Sequence, residues 1–145
     1  MEINQTIKNI AGWILYFAAL ALLIYGIPKA MSYTLDTPYP MASITSGSMW
    51  PALKTGDLVF IQGIKSKNDV KMGDIIVYHN QKGFTIHRII KLNEGTVVTK
   101  GDANNINDTP ITYEEIVGKA LMYKNSPIRI PNLGNVSILM NKNRL

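Results

Sequence analysis

Residues 74–92 read DIIVYHNQKGFTIHRIIKL and predict two adjacent β-strands joined by a tight turn. The first run, 74–79, and the second, 84–92, are rich in β-branched and aromatic residues, which favour a pleated sheet. Between them lies NQKG (80–83), a turn sequence of the length found in β-hairpins. The stretch therefore predicts an antiparallel hairpin, and units of strand, helix and parallel strand are not expected.

Shorter apolar runs on either side continue the same pattern. Glycine and asparagine punctuate them, as expected for strands that turns connect. The further predicted strands are LVFIQ (58–62), TVVTK (96–100) and IVGKALMY (116–123), with a second turn at NEG (93–95). The chain is thus predicted to contain a mostly β, antiparallel domain within residues 43–127.

A very hydrophobic segment precedes this domain. Residues 10–27, IAGWILYFAALALLIYGI, contain no charge and are just long enough to cross a bilayer as a helix, which needs about 20 apolar residues. Aromatic rings near both ends favour the membrane interface, and Pro28 is expected to end the helix. The alternative is a cleaved signal peptide, but the run is long for one and no small-x-small cleavage site follows. We expect an uncleaved anchor.

Composition assigns the remaining segments. Residues 1–9 are a short N-terminal tail, and residues 28–42, with three prolines, are a linker. Residues 128–145 begin like another strand and turn, and their apolar part is too short to span a membrane. This basic segment is either a docked strand or a stub before a second membrane helix.

The net charge of +5 is unevenly distributed. Residues 36–123 hold nine basic and nine acidic side chains, and this neutrality argues against a nucleic-acid-binding face. Residues 124–145 hold four basic side chains and no acidic one, which favours contact with anionic lipid. The chain has no cysteine, so disulfides, thiol nucleophiles and thiolate metal sites are excluded.

Residues 43–51, SITSGSMWP, hold three serines and a threonine beside a glycine and a proline. A turn of this kind can hold one hydroxyl exposed and rigid. A serine hydroxyl becomes a good nucleophile when a base lies within hydrogen-bond reach and a third group orients that base. Taken alone, the cluster allows any of several hydroxyls, with either a lysine or a histidine as the base.

The two histidines differ in their predicted surroundings. Histidine titrates near neutral pH without help, whereas lysine has to be desolvated first. His87 stands in the middle of a predicted strand, where the scaffold would hold its ring still. His79 stands at the hairpin tip, where a histidine is most often solvated. A mid-strand histidine is more often structural than catalytic, so a basic role for His87 is a hypothesis at this point.

The polar loop TKGDANNIND (99–108) holds two aspartates, Asp102 and Asp108. An aspartate on the far ring nitrogen of His87 would fix its tautomer and stabilise the imidazolium, as in a serine–histidine–aspartate triad. The simpler interpretation is a turn whose side chains bond to their own backbone. The sequence holds no cluster of metal ligands and no phosphate-binding glycine loop, so neither a metal nor a cofactor is expected.

Taken in order, these motifs resemble the type I signal peptidases. The blocks concerned are SGSM-x-P (46–51), GD (56–57), GDIIVY (73–78), HR (87–88) and KGD-x-NN with a following aspartate (100–108). They follow an N-terminal apolar segment, as in that family. Because a histidine, followed by an arginine, occupies the position at which most bacterial members have a lysine base, the chain resembles the endoplasmic-reticulum and archaeal type, also found in some Gram-positive spore-forming bacteria.

The resemblance implies an open β-barrel of the signal-peptidase type behind one membrane helix. By position, Ser48 would be the nucleophile and His87 the general base. The orienting acid would be Asp108, which we favour, or Asp102. The backbone N–H of Ser48, with the hydroxyl of Ser46, would form the oxyanion hole.

The implied activity is removal of N-terminal signal peptides from exported preproteins, with small residues at the first and third positions before the cut. The implied location is the cell membrane, single-pass, with the catalytic domain on the extracytoplasmic side. Partners are then the signal peptide, membrane lipid and, in a complex, further membrane subunits, but no nucleic acid. An extended substrate would add a strand to an exposed sheet edge.

Two other functions stay open, as do the roles of two apolar residues. One alternative is a self-cleaving regulator-type serine protease, which would use a lysine base. The other is a non-catalytic, membrane-anchored module that binds peptides. Met49 and Trp50 are either interfacial anchors or core residues. Trp50 also departs from the family, many of whose members have a small or acidic residue there.

Overall fold

The computed structural model describes residues 2–81 and 83–142 as two compact units. A helical unit ends at Thr34, and a β-rich unit begins at Leu35. Three predicted features extend beyond the described residues: the tail at residue 1, the turn at Lys82 and the C-terminal segment at 143–145.

The helical unit is continuous and apolar. Its stretch Thr6–Thr34 has a mean hydropathy of 2.2 in its most apolar window, none of which is buried, so it is long and apolar enough to cross a membrane. The predicted apolar N-terminal helix is therefore confirmed. Its parts are α1 (Glu2–Ala21), a π-helical turn (Leu22–Gly26) and α2 (Ile27–Thr34).

Pro28 lies inside this helix, so the prediction that the helix ends there is wrong. Proline lacks an amide hydrogen, and its ring crowds the carbonyl four residues back, which usually interrupts a helix. Here the N–H of Ile27 bonds to the carbonyl of Leu22, five residues back. This π-helical shift falls immediately before the proline and lets the helix continue. The first part of the predicted 28–42 linker is therefore helical.

The β-rich unit contains one main antiparallel sheet and one small hairpin, which confirms the predicted fold class. Its strands are β1 (Met41–Ser43), β2 (Leu58–Gln62), β3 (Ile75–Asn80), β4 (Gly83–Leu92), β5 (Thr96–Lys100), β6 (Ile111–Thr112), β7 (Ile116–Ala120), β8 (Met122–Tyr123), β9 (Ser126–Pro127) and β10 (Arg129–Ile130). The main sheet has the order β1-β2-β7-β3-β4-β5-β6, with β10 also paired to β2. Strands β8 and β9 form the hairpin, and α3 (Gly134–Lys142) follows β10.

The predicted hairpin of β3 and β4 is present, with its turn between Asn80 and Gly83. Successive residues of β3 face opposite sides of the sheet, and both sides are buried. Ile75 packs in one apolar cluster and Ile76 in the other. His87 is paired with Ile76 across the hairpin, so it lies beside a strand that is buried on both sides.

The C-terminal segment contains both a strand and a helix. Strand β10 pairs with β2 through Arg129 and Ile130, and α3 begins at Gly134. A Cβ at Gly134 would lie 2.5 Å from the carbonyl oxygen of Asp57, so glycine is needed for this close approach. Arg129 also donates to the buried carboxylate of Asp57 at 2.8 Å, which ties the segment to the sheet.

Candidate active site

Ser48 lies in a loop between β1 and β2 that the core holds in place. Two backbone bonds close the loop: Ile44 N–H donates to the Asp57 carbonyl at 2.9 Å, and Gly56 N–H donates to the Ile44 carbonyl at 2.8 Å. Met49, directly after the serine, is 1% exposed and belongs to the core. Burial of Met49 fixes the loop and leaves the Ser48 hydroxyl at the surface.

His87 connects this serine to an acid. His87 is 8% exposed. Its Nε2 lies 3.1 Å from Ser48 Oγ, and its Nδ1 lies 2.6 Å from Asp108 Oδ2. The distances suit the tautomer in which Nδ1–H donates to the carboxylate and Nε2 accepts the serine proton. The three side chains therefore form one hydrogen-bonded chain.

Asp108 belongs to an irregular loop that is fixed at two places. At the first, the Thr99 hydroxyl donates to Asp108 Oδ2 at 2.7 Å, and the Thr99 carbonyl accepts the Asp108 N–H at 2.8 Å. At the second, Ala103 N–H donates to the Ser48 carbonyl at 2.8 Å. Gly101 permits this approach, because a Cβ there would lie 2.7 Å from the same carbonyl oxygen.

Asp102, the other predicted candidate for the orienting acid, binds an arginine instead. Arg88 Nε and Nη2 donate to the two Asp102 oxygens at 2.8 and 2.7 Å, and Nη1 donates to the Gly73 carbonyl at 2.9 Å. Hydrogen bonding to the Asp102 carboxylate raises the pKa of Arg88 above its usual value. This bidentate ion pair fixes the loop to β4 at Arg88, the residue next to His87.

Tyr78 is a further ionisable group near the triad. Burial is the main cause that raises the pKa of its phenol; a hydrogen bond with Thr99 acts in the opposite direction, and the negative charge of Asp108 adds to the rise. The phenol therefore stays neutral at physiological pH. In the part of the chain that the structure describes, no three histidine or acidic side chains are grouped so that they could hold a metal ion.

Ser46 lies on the exposed side of the same loop. Its Oγ is 3.1 Å from Ser48 Oγ, within hydrogen-bond distance. A hydroxyl this close to a nucleophile can donate to an oxyanion that forms on the attacked carbonyl. The geometry is compatible with the predicted oxyanion role of Ser46, which stays a prediction.

A cleft of about 720 Å³ runs beside Ser48 and His87. Residues of β1 and of the first half of β4 line it, and the rings of Tyr39 and Phe84 meet there with centroids 5.1 Å apart. Among the residues that the structure describes, β4 pairs with β5 from Arg88 onward, and its first half has no strand partner on that side. The apolar lining includes Ile44, Met49, Ile61, Val77, Ile86 and Val117.

Met49 and Trp50 have different surroundings, so neither of the two predicted roles, interfacial anchor or core residue, applies to both residues. Met49 is a core residue, whereas Trp50 is 52% exposed, with Lys54 Nζ 4.7 Å from the centre of its ring. His79 is also exposed, as predicted for a residue at the hairpin tip, and its ring lies 5.3 Å from that of Phe84.

Sequence reasoning gave no role to Thr99 or Arg88, although both lie within the quoted motifs. A signal for Thr99 was present, because alternation along TVVTK places it on the same face as Val97, and both are fully buried. A buried threonine beside a polar loop indicates a hydrogen bond to that loop. For Arg88 the sequence held no comparable signal, since its partner lies 14 residues away in an irregular segment.

Comparisons with known proteins identify the family of this chain. Residues 25–121 match the family model of Peptidase S24-like proteins. The chain is 33% identical to the signal peptidase complex catalytic subunit sec11 of Sclerotinia sclerotiorum, over 95% of this chain and 85% of the relative. It is 31% identical to the corresponding subunit of Pyricularia oryzae, over 93% and 83%. The chain therefore belongs to the S24-like peptidases and, among them, to the signal peptidases of the endoplasmic-reticulum type.

Proposed function

We propose that this protein is a membrane-anchored serine endopeptidase that removes N-terminal signal peptides from exported preproteins. The strongest support is the hydrogen-bonded chain from Ser48 through His87 to Asp108 beside a cleft. The fungal relatives are named as catalytic subunits of a signal peptidase complex, which supports the same reaction.

The first half of the reaction forms an acyl-enzyme. His87 Nε2 accepts the Ser48 proton while Oγ attacks the carbonyl carbon of the scissile bond, and Asp108 stabilises the imidazolium. The Ser48 N–H and the Ser46 hydroxyl donate to the oxyanion, where losing one donor typically costs about 3 kcal/mol. The imidazolium then protonates the departing amine. The mature protein leaves, and the signal peptide stays bound to Ser48 as an ester.

The second half hydrolyses that ester. His87 takes a proton from water, and the hydroxide attacks the ester carbonyl. The imidazolium returns its proton to Ser48 Oγ as the bond breaks. The signal peptide leaves as a carboxylic acid, which loses its proton to water, and the enzyme regains its starting state.

The substrate is proposed to bind as an extended strand in the cleft. In the described part of the chain, β1 pairs with β2 and leaves its other edge unshared, as does the first half of β4. An inserted peptide can bond to these backbone groups. Side chains alternate along a strand, so the first and third residues before the cut face the same side. The apolar lining of the cleft suits apolar side chains, and the resemblance to signal peptidases implies that these are small at both positions.

The helix Thr6–Thr34 anchors the protein in a membrane. We place the β-rich unit on the extracytoplasmic side, where a signal peptide becomes accessible, with a single span. The anchor restricts encounter to two dimensions and favours substrates whose apolar segments lie in the same bilayer. Because the relatives are subunits of a complex, the proposal includes partner subunits in that membrane.

The two alternative functions have less support. A self-cleaving regulator-type protease uses lysine as its base, whereas the base candidate 3.1 Å from Ser48 Oγ is a histidine. A non-catalytic peptide-binding module does not need the aligned bonds from Ser48 to Asp108.

The proposal predicts how cleavage depends on the residues before the cut. We expect the purified full chain, in lipid vesicles, to cut a preprotein into two fragments whose masses place the cut after a small residue. Tryptophan at the first or third position before the cut is expected to slow cleavage at least about tenfold, because the family resemblance implies subsites for small residues at both positions.

The matched control is tryptophan at the second position, whose side chain faces the other way. This change is expected to leave the rate within about threefold. No cleavage by the wild type, or equal slowing at all three positions, would contradict the proposal.

A further inference from the structure

Thr99 has a buried hydroxyl that takes no direct part in the reaction. It lies in β5 and is 0% exposed. Its Oγ1 donates to Asp108 Oδ2 at 2.7 Å, and its carbonyl accepts the Asp108 N–H at 2.8 Å. We propose that Thr99 is a positioning residue that aims the Asp108 carboxylate at His87. The inference rests on the proposed function.

The carboxylate needs such a guide because of where Asp108 lies. Asp108 is in a stretch without regular secondary structure, so no strand or helix pairing fixes its side chain. The side chain is 22% exposed, so water competes for its oxygens. One oxygen, Oδ2, accepts from both His87 Nδ1 and Thr99 Oγ1. Two donors on one oxygen fix its direction more tightly than the imidazole alone.

The effect should be on turnover rather than on substrate binding. Thr99 is fully buried, and its hydroxyl is directed at Asp108. Without this bond, Asp108 stabilises the His87 imidazolium less well. The imidazolium exists only as the reaction proceeds. A change confined to the transition state lowers kcat and leaves KM nearly unchanged.

The first test compares variants of Thr99 in a cleavage assay with the full chain in lipid vesicles. Thr99→Val and Thr99→Ala both remove the hydroxyl and are expected to lower kcat about tenfold to a hundredfold, with KM within about threefold. Thr99→Ser keeps the hydroxyl and is expected to stay within about threefold of the wild-type kcat. The role is overturned if Thr99→Ala keeps the wild-type kcat or if Thr99→Ser loses as much as Thr99→Ala.

Thr96→Val is the matched control on the same strand. The Thr96 hydroxyl accepts a hydrogen bond from Asn93 Nδ2 at 3.0 Å, so this variant also loses one side-chain bond. Its kcat is expected to stay within about threefold of the wild type. A loss equal to that of Thr99→Val would show a general effect of the strand and would overturn the specific role.

A double-mutant cycle tests whether Thr99 acts through Asp108. In an Asp108→Ala background, Thr99→Val is expected to lower kcat by less than about twofold, because the acid it positions is gone. A further tenfold fall would overturn the inference.

Cleavage by the wild type is measured alongside. If the wild type does not cleave, the proposed function is overturned as well. If the wild type cleaves and Thr99→Ala is unchanged, only the role of Thr99 is overturned.

Discussion

Replacing His87 with alanine is expected to lower kcat for signal-peptide cleavage about 10³-fold or more. The variant loses the group 3.1 Å from Ser48 Oγ, and a serine hydroxyl is a poor nucleophile without a base. Asp108 cannot replace it, because it meets the far side of the ring. The measurement is the cleavage rate of a preprotein by the full chain in lipid vesicles.

His79→Ala is the matched control, since it makes the same change on the same hairpin. His79 is exposed, and its ring contacts that of Phe84 rather than Ser48. Its rate is expected to stay within about threefold of the wild type. Equal losses in the two variants, or a His87→Ala variant that still cleaves at the wild-type rate, would contradict the assignment of His87 as the base.

Asp108→Asn is expected to lower kcat about 10²-fold to 10⁴-fold with little loss of stability. An amide has no negative charge to stabilise the imidazolium, and its nitrogen can hold the ring in the wrong tautomer. The side chain keeps its size, and the bond between Asp108 N–H and the Thr99 carbonyl remains. The measurements are kcat and the free energy of unfolding.

Asp102→Asn gives the contrasting result, because this acid binds Arg88 through both oxygens. We expect a loss of about 1–3 kcal/mol in the free energy of unfolding and less than about a tenfold fall in kcat. The same two measurements apply to both variants. The assignment is contradicted if the ranking is reversed, with Asp102→Asn nearly inactive and Asp108→Asn nearly wild type in kcat.

The sheet and the position of His87 within a strand could be predicted because both depend on local periodicity. Alternation and β-branched residues in 58–62, 74–92 and 96–100 indicate strands whatever their partners. A histidine in the middle of such a strand must be held firmly. The shortest strands, such as β6 and β10, have two residues each, too few for any periodic signal.

The choice between Asp102 and Asp108 could not be derived from periodicity, because both lie in an irregular loop. The path of that loop depends on long-range contacts. Gly101 lets the chain approach the Ser48 carbonyl, and Arg88 binds both oxygens of Asp102. The continuation of the helix beyond Pro28 likewise depends on a π-helical turn that composition does not reveal.

The most direct test of the account compares Ser48→Ala with Ser46→Ala in single-turnover cleavage of a preprotein. The two hydroxyls lie 3.1 Å apart on one loop, so the pair separates the nucleophile from a neighbour of the same chemistry. We expect Ser48→Ala to lose at least about 10³-fold in rate, and Ser46→Ala to lose about a hundredfold through the oxyanion. Cleavage by Ser48→Ala at a rate equal to or above that of Ser46→Ala would contradict the account.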